Sequence, residues 1–300
     1  MDIGIIGLGD IAMKAYLPVI TTRAMSLHLC SRNEKTLSEI AQQYRIANVY
    51  NDVDSLIRKN IKAAFVHTAT SSHEEIVRKL LDNNVHVYVD KPVTDRFDST
   101  FKLVSLAEER KLLLRVGFNR RYAPSYRQLK DVVDPNMIVM QKNRRSLPGE
   151  IRTFVFDDFI HVADTLLFLL GSSPKHMDVT GKISSGLLHH LVVKLTMANG
   201  ATAIGIMNRD AGTTEERIEV FSSSEKRTVI NMAETIVTKN RVETKTLADD
   251  WEPMLRRRGF ENIIDSFLEE VRTGSRQPGY EDVIATHSLC EQVVNTLSTS

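Results

Sequence analysis

Two cysteines, one tryptophan and 6% aromatic residues are little for a chain of 300 residues. Cys30 and Cys290 are too few and too far apart in sequence for a disulfide framework or a thiolate metal site, which fits a reducing cytoplasm. Charge imbalance is missing too: 39 Lys and Arg stand against 38 Asp and Glu, so neither nucleic acid nor a membrane surface is an expected partner. The longest apolar helical run, Thr165 to Leu170, is far below membrane-spanning length. No basic leader precedes the N-terminal apolar stretch, and no cleavage site follows it. His189 and His190 lie in a strand pattern with no further ligand at metal-site spacing, so no metal is expected. Internal repeats and low-complexity tracts are absent. What remains is 42% apolar content over a length that suggests about two domains, with small molecules or further copies of the chain as partners.

The chain opens with the apolar run Ile3-Gly4-Ile5-Ile6, which ends directly in Gly7-Leu8-Gly9-Asp10-Ile11-Ala12. In such a G-x-G-x-x-A element Gly7 permits the tight strand-to-helix reversal and Gly9 lets backbone N–H groups approach a dinucleotide pyrophosphate. The small Ala12 lets the helix pack close to the strand. A helix N-terminus then offers unpaired N–H donors and partial positive charge to the anion. The helix is expected to run from Ala12 to Leu17 and to end at Pro18.

Strand and helix patterns alternate through the first third, which argues a doubly wound parallel sheet. Strands are expected at Asp2–Ile6, Ser26–Cys30, Ala63–His67, Val85–Val89 and Leu112–Val116, with helices at Glu34–Tyr44, Asp54–Lys59, Ser72–Asn83 and Thr100–Arg110. Beyond residue 118 the pattern changes. A helix around Ser125–Val133, a strand near Met137–Lys142 and a helix at about Asp157–Leu170 lead into short extended segments between 178 and 238, whose brief connections imply a mainly antiparallel open sheet. Helices Phe260–Thr273 and Tyr280–Leu297, joined by a turn over Gly274 to Gly279, close the chain. The expected division is a dinucleotide-binding domain at 1–118 and an α/β substrate and oligomerisation domain at 119–300.

The order of Gly7-Leu8-Gly9-Asp10-Ile11-Ala12, Thr68-Ala69-Thr70-Ser71-Ser72-His73, Asp90-Lys91-Pro92, Gly117-Phe118-Asn119-Arg120-Arg121-Tyr122 and Asp157-Asp158-Phe159-Ile160-His161 resembles the Gfo/Idh/MocA oxidoreductases, and within them the MviM-like branch. The resemblance implies a nicotinamide-binding Rossmann domain followed by an α/β domain whose open sheet makes a homo-oligomer. It also implies a secondary alcohol or carbonyl substrate of sugar or polyol type. It places Gly7, Gly9, Asp10, Ile11, Ala12, Thr68, Ala69, Thr70, Asp90, Lys91, Asn119 and Arg120 at the cofactor. His73 reads equally as part of that cofactor loop or as a helix-start polar residue. Lys91 matches the lysine of the family's E-K-P motif, and His161 the histidine of its D-x-x-x-H motif.

Moving a hydride from a carbinol carbon requires a base for the hydroxyl proton and a cation for the developing alkoxide, parts that His161 and Lys91 fit. Asp157 stands four residues before His161, on the same face of a continuous helix, and would orient the imidazole or the substrate hydroxyl; Asp158 is the alternative for that task. Asp90 replaces the family's Glu, Ala69 a frequent Pro and Phe159 a usual Gly, and only Pro148-Gly149 remains of a glycine cluster, so the substrate does not carry over. At the end of the second strand an acidic residue is missing: Ser31 and Arg32 stand there, so NADP(H) is expected over NAD(H). Arg144-Arg145 and Arg256-Arg257-Arg258 read as solvated loop charges, with an acidic substrate or cofactor phosphate as the other use. A ligand-sensing protein and a cofactor-assisted hydrolase or lyase remain the alternatives to a dehydrogenase.

Overall fold

The computed structural model describes residues 1–275 and 279–299. Their contacts form two units, Met1–Gly117 with Phe260–Tyr280, and Phe118–Gly259 with Glu281–Ser300. The first unit holds a six-stranded sheet in the order β3-β2-β1-β4-β5-β6, from β1 (Asp2–Ile6), β2 (Ser26–Cys30), β3 (Asn48–Tyr50), β4 (Ala63–Val66), β5 (His86–Val89) and β6 (Leu114–Val116). Every pairing is parallel. Parallel strands are covered on both faces, and all four residues of β4 are accordingly buried. The order reverses between β1 and β4, so ligands of such sheets lie beyond the carboxyl ends of those two strands.

Helix Phe260–Thr273 differs from the expected division, because it packs with the first unit rather than the second. Its Phe267 ring meets Phe65 at 5.3 Å and Tyr88 at 5.6 Å, edge to face. Arg115 pairs with Glu270 and Arg23 with Asp265, while Tyr280 Oη accepts from the Leu114 N–H and donates to the Leu112 carbonyl. The turn expected over Gly274 to Gly279 includes residues 276–278, which lie outside the described residues.

The first helix also departs from expectation. A π-helical turn, Ala12–Tyr16, passes into Leu17–Ile20, with the Leu17 N–H bonded to the Ala12 carbonyl. The wider turn moves the hydrogen-bond ladder by one residue, so Pro18 falls in the first turn of the α-helical part, where no N–H is required.

The second unit is an eight-stranded sheet in the order β14-β13-β12-β11-β7-β10-β9-β8. Its strands are β7 (Met137–Arg145), β8 (His176–Ser184), β9 (Leu187–Thr196), β10 (Thr202–Ala211), β11 (Glu215–Phe221), β12 (Lys226–Ile230), β13 (Glu234–Lys239) and β14 (Val242–Leu247). All neighbours run antiparallel except β7 and β10. Helical residues 151–170 cover one face, and the apolar parts of β7, β10 and β11 alternate, with Ile138, Met140, Ala203, Met207, Ile218 and Val220 buried beneath them. On the opposite face Val139, Val192, Ile204 and Ile206 are half-buried.

Candidate active site

In the first unit the reversal after β1 is held by the Gly7 N–H, which donates to the Cys30 carbonyl at 3.0 Å. Gly7 has φ +86°, and a Cβ there would stand 2.7 Å from the Thr68 backbone nitrogen. Only glycine lets the loops after β1 and β4 approach so closely. Gly9 is the opposite case: its backbone is not left-handed, and an added Cβ would meet nothing within 4 Å. The protein's own packing does not require glycine at this position. What does fit the requirement is a ligand laid against the backbone, with the N–H groups of the following helix turn directed at an anion. Gly9, Asp10 and Ile11 are exposed and Ala12 is buried against the sheet, as the motif demands. Asp10 forms only an exposed ion pair with Lys14.

The end of β4 supplies the floor of the crevice. His67 is 4% exposed, stacked on the Tyr16 ring at a centroid distance of 3.9 Å. Among the described residues neither ring nitrogen has a hydrogen-bond partner, nor does the Thr68 hydroxyl beside it. Leaving a buried polar group unsatisfied costs about 1–3 kcal/mol, so three such atoms together mark a place completed by something else. Burial, with a smaller push from His73, lowers the His67 pKa to about 3. The ring is therefore neutral and offers one donor and one acceptor. His67 belongs to no motif of the sequence; its one signal there is a histidine ending the buried run Ala63-Ala64-Phe65-Val66, at the point where strand order reverses.

Tyr16 donates its hydroxyl proton to Asp90 at 3.0 Å and lies 3.2 Å from the Tyr88 hydroxyl. Burial raises the Asp90 carboxyl above its usual range, against the opposing pull of Lys91 and the Tyr16 hydroxyl. The His73 ring spans the carbonyl oxygens of Pro92 (2.9 Å) and Thr68 (3.0 Å). It ties the loop after β4 to the segment carrying Lys91, whose peptide bond to Pro92 is cis. Exposed Ala69 and half-buried Thr70 lie on that loop. At the end of β2 the Ser31 N–H donates to the Tyr50 carbonyl and its hydroxyl accepts from the Asn33 N–H. Asn33 caps helix Glu34–Tyr44, leaving Arg32 exposed between them. The Cys30 thiol, pushed up to about 12 by burial, is inert.

In the second unit Asp157 and His161 do not lie on a continuous α-helix as expected. A π-helical turn, Val155–Phe159, precedes Ile160–Leu170, with the Ile160 N–H reaching back to the Val155 carbonyl. Such turns recur at functional sites. The spacing still serves: from Phe154 to Leu167 every residue is buried except Asp157 and His161. Asp158 instead faces the sheet. Its carboxylate receives Lys142 Nζ at 2.7 Å, Arg144 Nη2 at 3.0 Å and Arg209 Nη2 at 2.7 Å. Burial raises its pKa, but the three cations outweigh this and hold it far below the usual carboxylate range. Asp158 is thus fully engaged and unsuited to orient His161. Burial, and next Arg120, lower Lys142 to about 7.

Arg120 and Asn119, expected at the cofactor, have other tasks in the structure. Both are buried at a position where long polar side chains need fixed partners. Arg120 holds Glu216 through Nε (2.8 Å) and Nη2 (2.6 Å), with Tyr126 donating to the same carboxylate. Asn119 Nδ2 donates to the Arg258 carbonyl at 2.8 Å. Arg144, read as a solvated loop charge, belongs to β7 and to the Asp158 cluster. Among the described residues no group of three or more His, Cys, Asp or Glu is placed to hold a metal ion, and no helix is long and apolar enough to cross a membrane.

Residues 1–118 match the family described as oxidoreductase family, NAD-binding Rossmann fold, the GFO_IDH_MocA family, and residues 124–240 match the YceM-like C-terminal domain. The YceM protein of Salmonella typhimurium is 33% identical over 284 residues, 91% of this chain and 90% of that protein. The chain belongs to the Gfo/Idh/MocA oxidoreductases. A crystal structure of a Gfo/Idh/MocA family oxidoreductase from Vibrio cholerae superposes with a TM-score of 0.92 at 30% identity, covering 99% of both chains. The myo-inositol 2-dehydrogenase of Thermotoga maritima is 25% identical over 296 residues, 91% of this chain and 86% of that enzyme. The matched family domain over residues 1–118 is an NAD-binding Rossmann fold, and the open space at Gly9 with the unpartnered His67 and Thr68 atoms fits a nicotinamide dinucleotide.

Proposed function

We propose that this Gfo/Idh/MocA protein is a dehydrogenase or reductase that transfers a hydride between NADP(H), preferred over NAD(H), and a secondary alcohol or carbonyl of a polar, sugar- or polyol-like substrate. The observation that carries the reading is Gly9, whose missing side chain serves no internal packing and leaves a backbone cradle at the start of a helix. Gly7, Gly9, Asp10, Ile11 and Ala12 hold the pyrophosphate, and Thr68, Ala69, Thr70 and Asp90 line the adjoining floor. The bound nicotinamide supplies a carbon that accepts or gives up the hydride. Lys91 presents its ammonium group to the substrate oxygen and stabilises negative charge there. His161 takes the hydroxyl proton during oxidation and returns it during reduction. Asp157, on the same helix side, orients the imidazole. Ser31 and Arg32 receive the adenosine 2′-phosphate, Arg32 by charge-assisted hydrogen bonds. The myo-inositol relative supports a polyol-like substrate.

The outer face of the second unit's sheet, with half-buried Val139, Val192, Ile204 and Ile206, is the surface through which copies of the chain associate. A panel of sugars, polyols and their oxidised forms, each tried with oxidised or reduced cofactor and followed by nicotinamide absorbance, tests the activity. Turnover with one of them is expected; tight cofactor binding without turnover on any would favour a sensor. Product formed without net cofactor change would favour a hydrolase or lyase.

A further inference from the structure

The helix-covered face of the second unit's sheet is apolar at one end and ionic at the other. Along β7 the inward positions run Ile138, Met140, Lys142 and Arg144, and in register beside Lys142 stand Met207 on β10 and Glu216 on β11. At the ionic end Arg120, Lys142, Arg144 and Arg209 gather around the carboxylates of Asp158 and Glu216. Arg120 is matched by Glu216, which leaves Lys142, Arg144 and Arg209 on the one carboxylate of Asp158 and donor capacity and positive charge in excess. The side chains of Lys142, Arg209 and Arg120 are 6%, 7% and 9% exposed. Charges so buried are normally paired, because desolvation of an unpaired one is costly.

Two further details show how the excess is presented. Arg144 is 42% exposed on its side chain, so the cluster opens to solvent through it, yet its Nε is buried and has no hydrogen-bond partner among the described residues. Arg209 comes from the part of β10 where the register with β7 shifts, and its guanidinium lies over the Phe154 ring at 4.9 Å. A register shift re-aims a side chain, and the aromatic face fixes the guanidinium plane. Guanidinium groups held in this way suit a planar or tetrahedral oxyanion.

We propose that Lys142, Arg144 and Arg209 form a receptor for an anionic group of the substrate, a carboxylate or a phosphate. The inference rests on the functional reading above for the word substrate, and it narrows the class to acidic sugar or polyol derivatives. A purely structural network anchoring the helix to the sheet needs the Asp158 contacts but no surplus of cations, no opening at Arg144 and no spare buried donor.

Calorimetric titration of the full chain with inorganic phosphate and with glucuronate, using glucose as the neutral control, tests it without any turnover. At least one anion is expected to bind at least ~tenfold more tightly than glucose, in line with a charged hydrogen bond gained. Tighter phosphate binding would assign a phosphorylated substrate, and tighter glucuronate binding a carboxylate. Arg144→Gln, at a half-exposed position that tolerates change, should lower anion affinity at least ~tenfold, and Arg144→Lys less. Gly9→Val should leave that affinity unaltered, which separates this site from the cofactor's phosphate cradle. No anion binding in the parent, or equal binding by the parent and Arg144→Gln, would overturn the proposal. A chain that binds the anion but moves no hydride would defeat the dehydrogenase reading alone.

Discussion

The two units hold polar chemistry in opposite ways. Around the first unit's crevice the functional groups are backbone N–H donors, the neutral His67 ring, three hydroxyls and the Asp90 carboxyl, and the unfilled capacity lies in hydrogen bonds. In the second unit the capacity lies in charge, with four cations set on two carboxylates. A dinucleotide laid along a backbone needs shape and donors at fixed places, which glycines and a helix start provide. A substrate distinguished from its relatives needs side chains, and these can differ between members of one fold. The difference teaches that cofactor class follows from local chain geometry, whereas substrate class follows from residues brought together over long range.

The contrast predicts unequal sensitivity to single changes. The largest effect belongs to the ionic cluster: Asp158→Ala leaves Lys142 and Arg209 buried without their carboxylate and should destabilise the chain by about 3–5 kcal/mol in denaturant unfolding. A loss under about 1 kcal/mol would mean that the cluster is far better solvated than its burial indicates. Next come Lys91→Ala and His161→Ala, each expected to reduce turnover at least ~10²-fold with much smaller changes in cofactor affinity. Full turnover in both variants would remove the catalytic assignment.

The third effect is read by pH and is shared by one buried histidine in each unit. An unfolded histidine binds its proton near 6.5, but burial keeps folded His67 neutral down to about 3 and His287 down to about 4. Between those values the unfolded chain holds more protons, so stability is full above pH 6.5 and falls as the solution is acidified. Glu216, held at about 2 by Arg120 despite its burial, adds its own loss only as pH falls below its usual 4.5. His67→Phe should therefore spare roughly 2–3 kcal/mol of the loss between pH 6.5 and 4.5, at about 1.4 kcal/mol per unit of pH. Parallel pH curves for variant and parent would show that the ring is solvated. The smallest effect concerns the exposed Arg32: Arg32→Ala should weaken NADP(H) about tenfold and leave NAD(H) nearly unchanged. Tighter binding of NAD(H) than NADP(H) by the parent would reverse the assigned preference.

Much of the fold was legible because its signals are local. Strands Asp2–Ile6 and Ser26–Cys30 and helices Glu34–Tyr44 and Phe260–Thr273 lie where periodicity puts them, the start of Glu34–Tyr44 being fixed by the Asn33 cap. Three-residue β3 and the fully exposed edge strand β14 escaped, one too short for alternation and the other without a buried face to enforce it. Helix Phe260–Thr273 was found but placed in the wrong unit, since the Phe65 and Tyr88 rings that receive Phe267 lie far back in the chain. The glycine turn, Lys91, Asp157 and His161 were readable as motifs. The use of Arg120 was not, because Glu216 meets it only once β11 is paired beside β7. The pairing of β7 with β10 likewise hides the grouping of Lys142, Arg144 and Arg209, which come from those two strands, around an aspartate in the helical segment that covers them.

The claim on which the whole functional account stands is that the backbone at Gly9 carries the dinucleotide pyrophosphate, and fluorescence titration of reduced nucleotide against parent and Gly9→Val tests it most directly. The added side chain enters space that nothing in the protein occupies, so the variant should keep the parent's circular dichroism and unfolding transition while losing measurable NADPH and NADH binding. Unchanged nucleotide affinity in a correctly folded Gly9→Val chain would contradict the account.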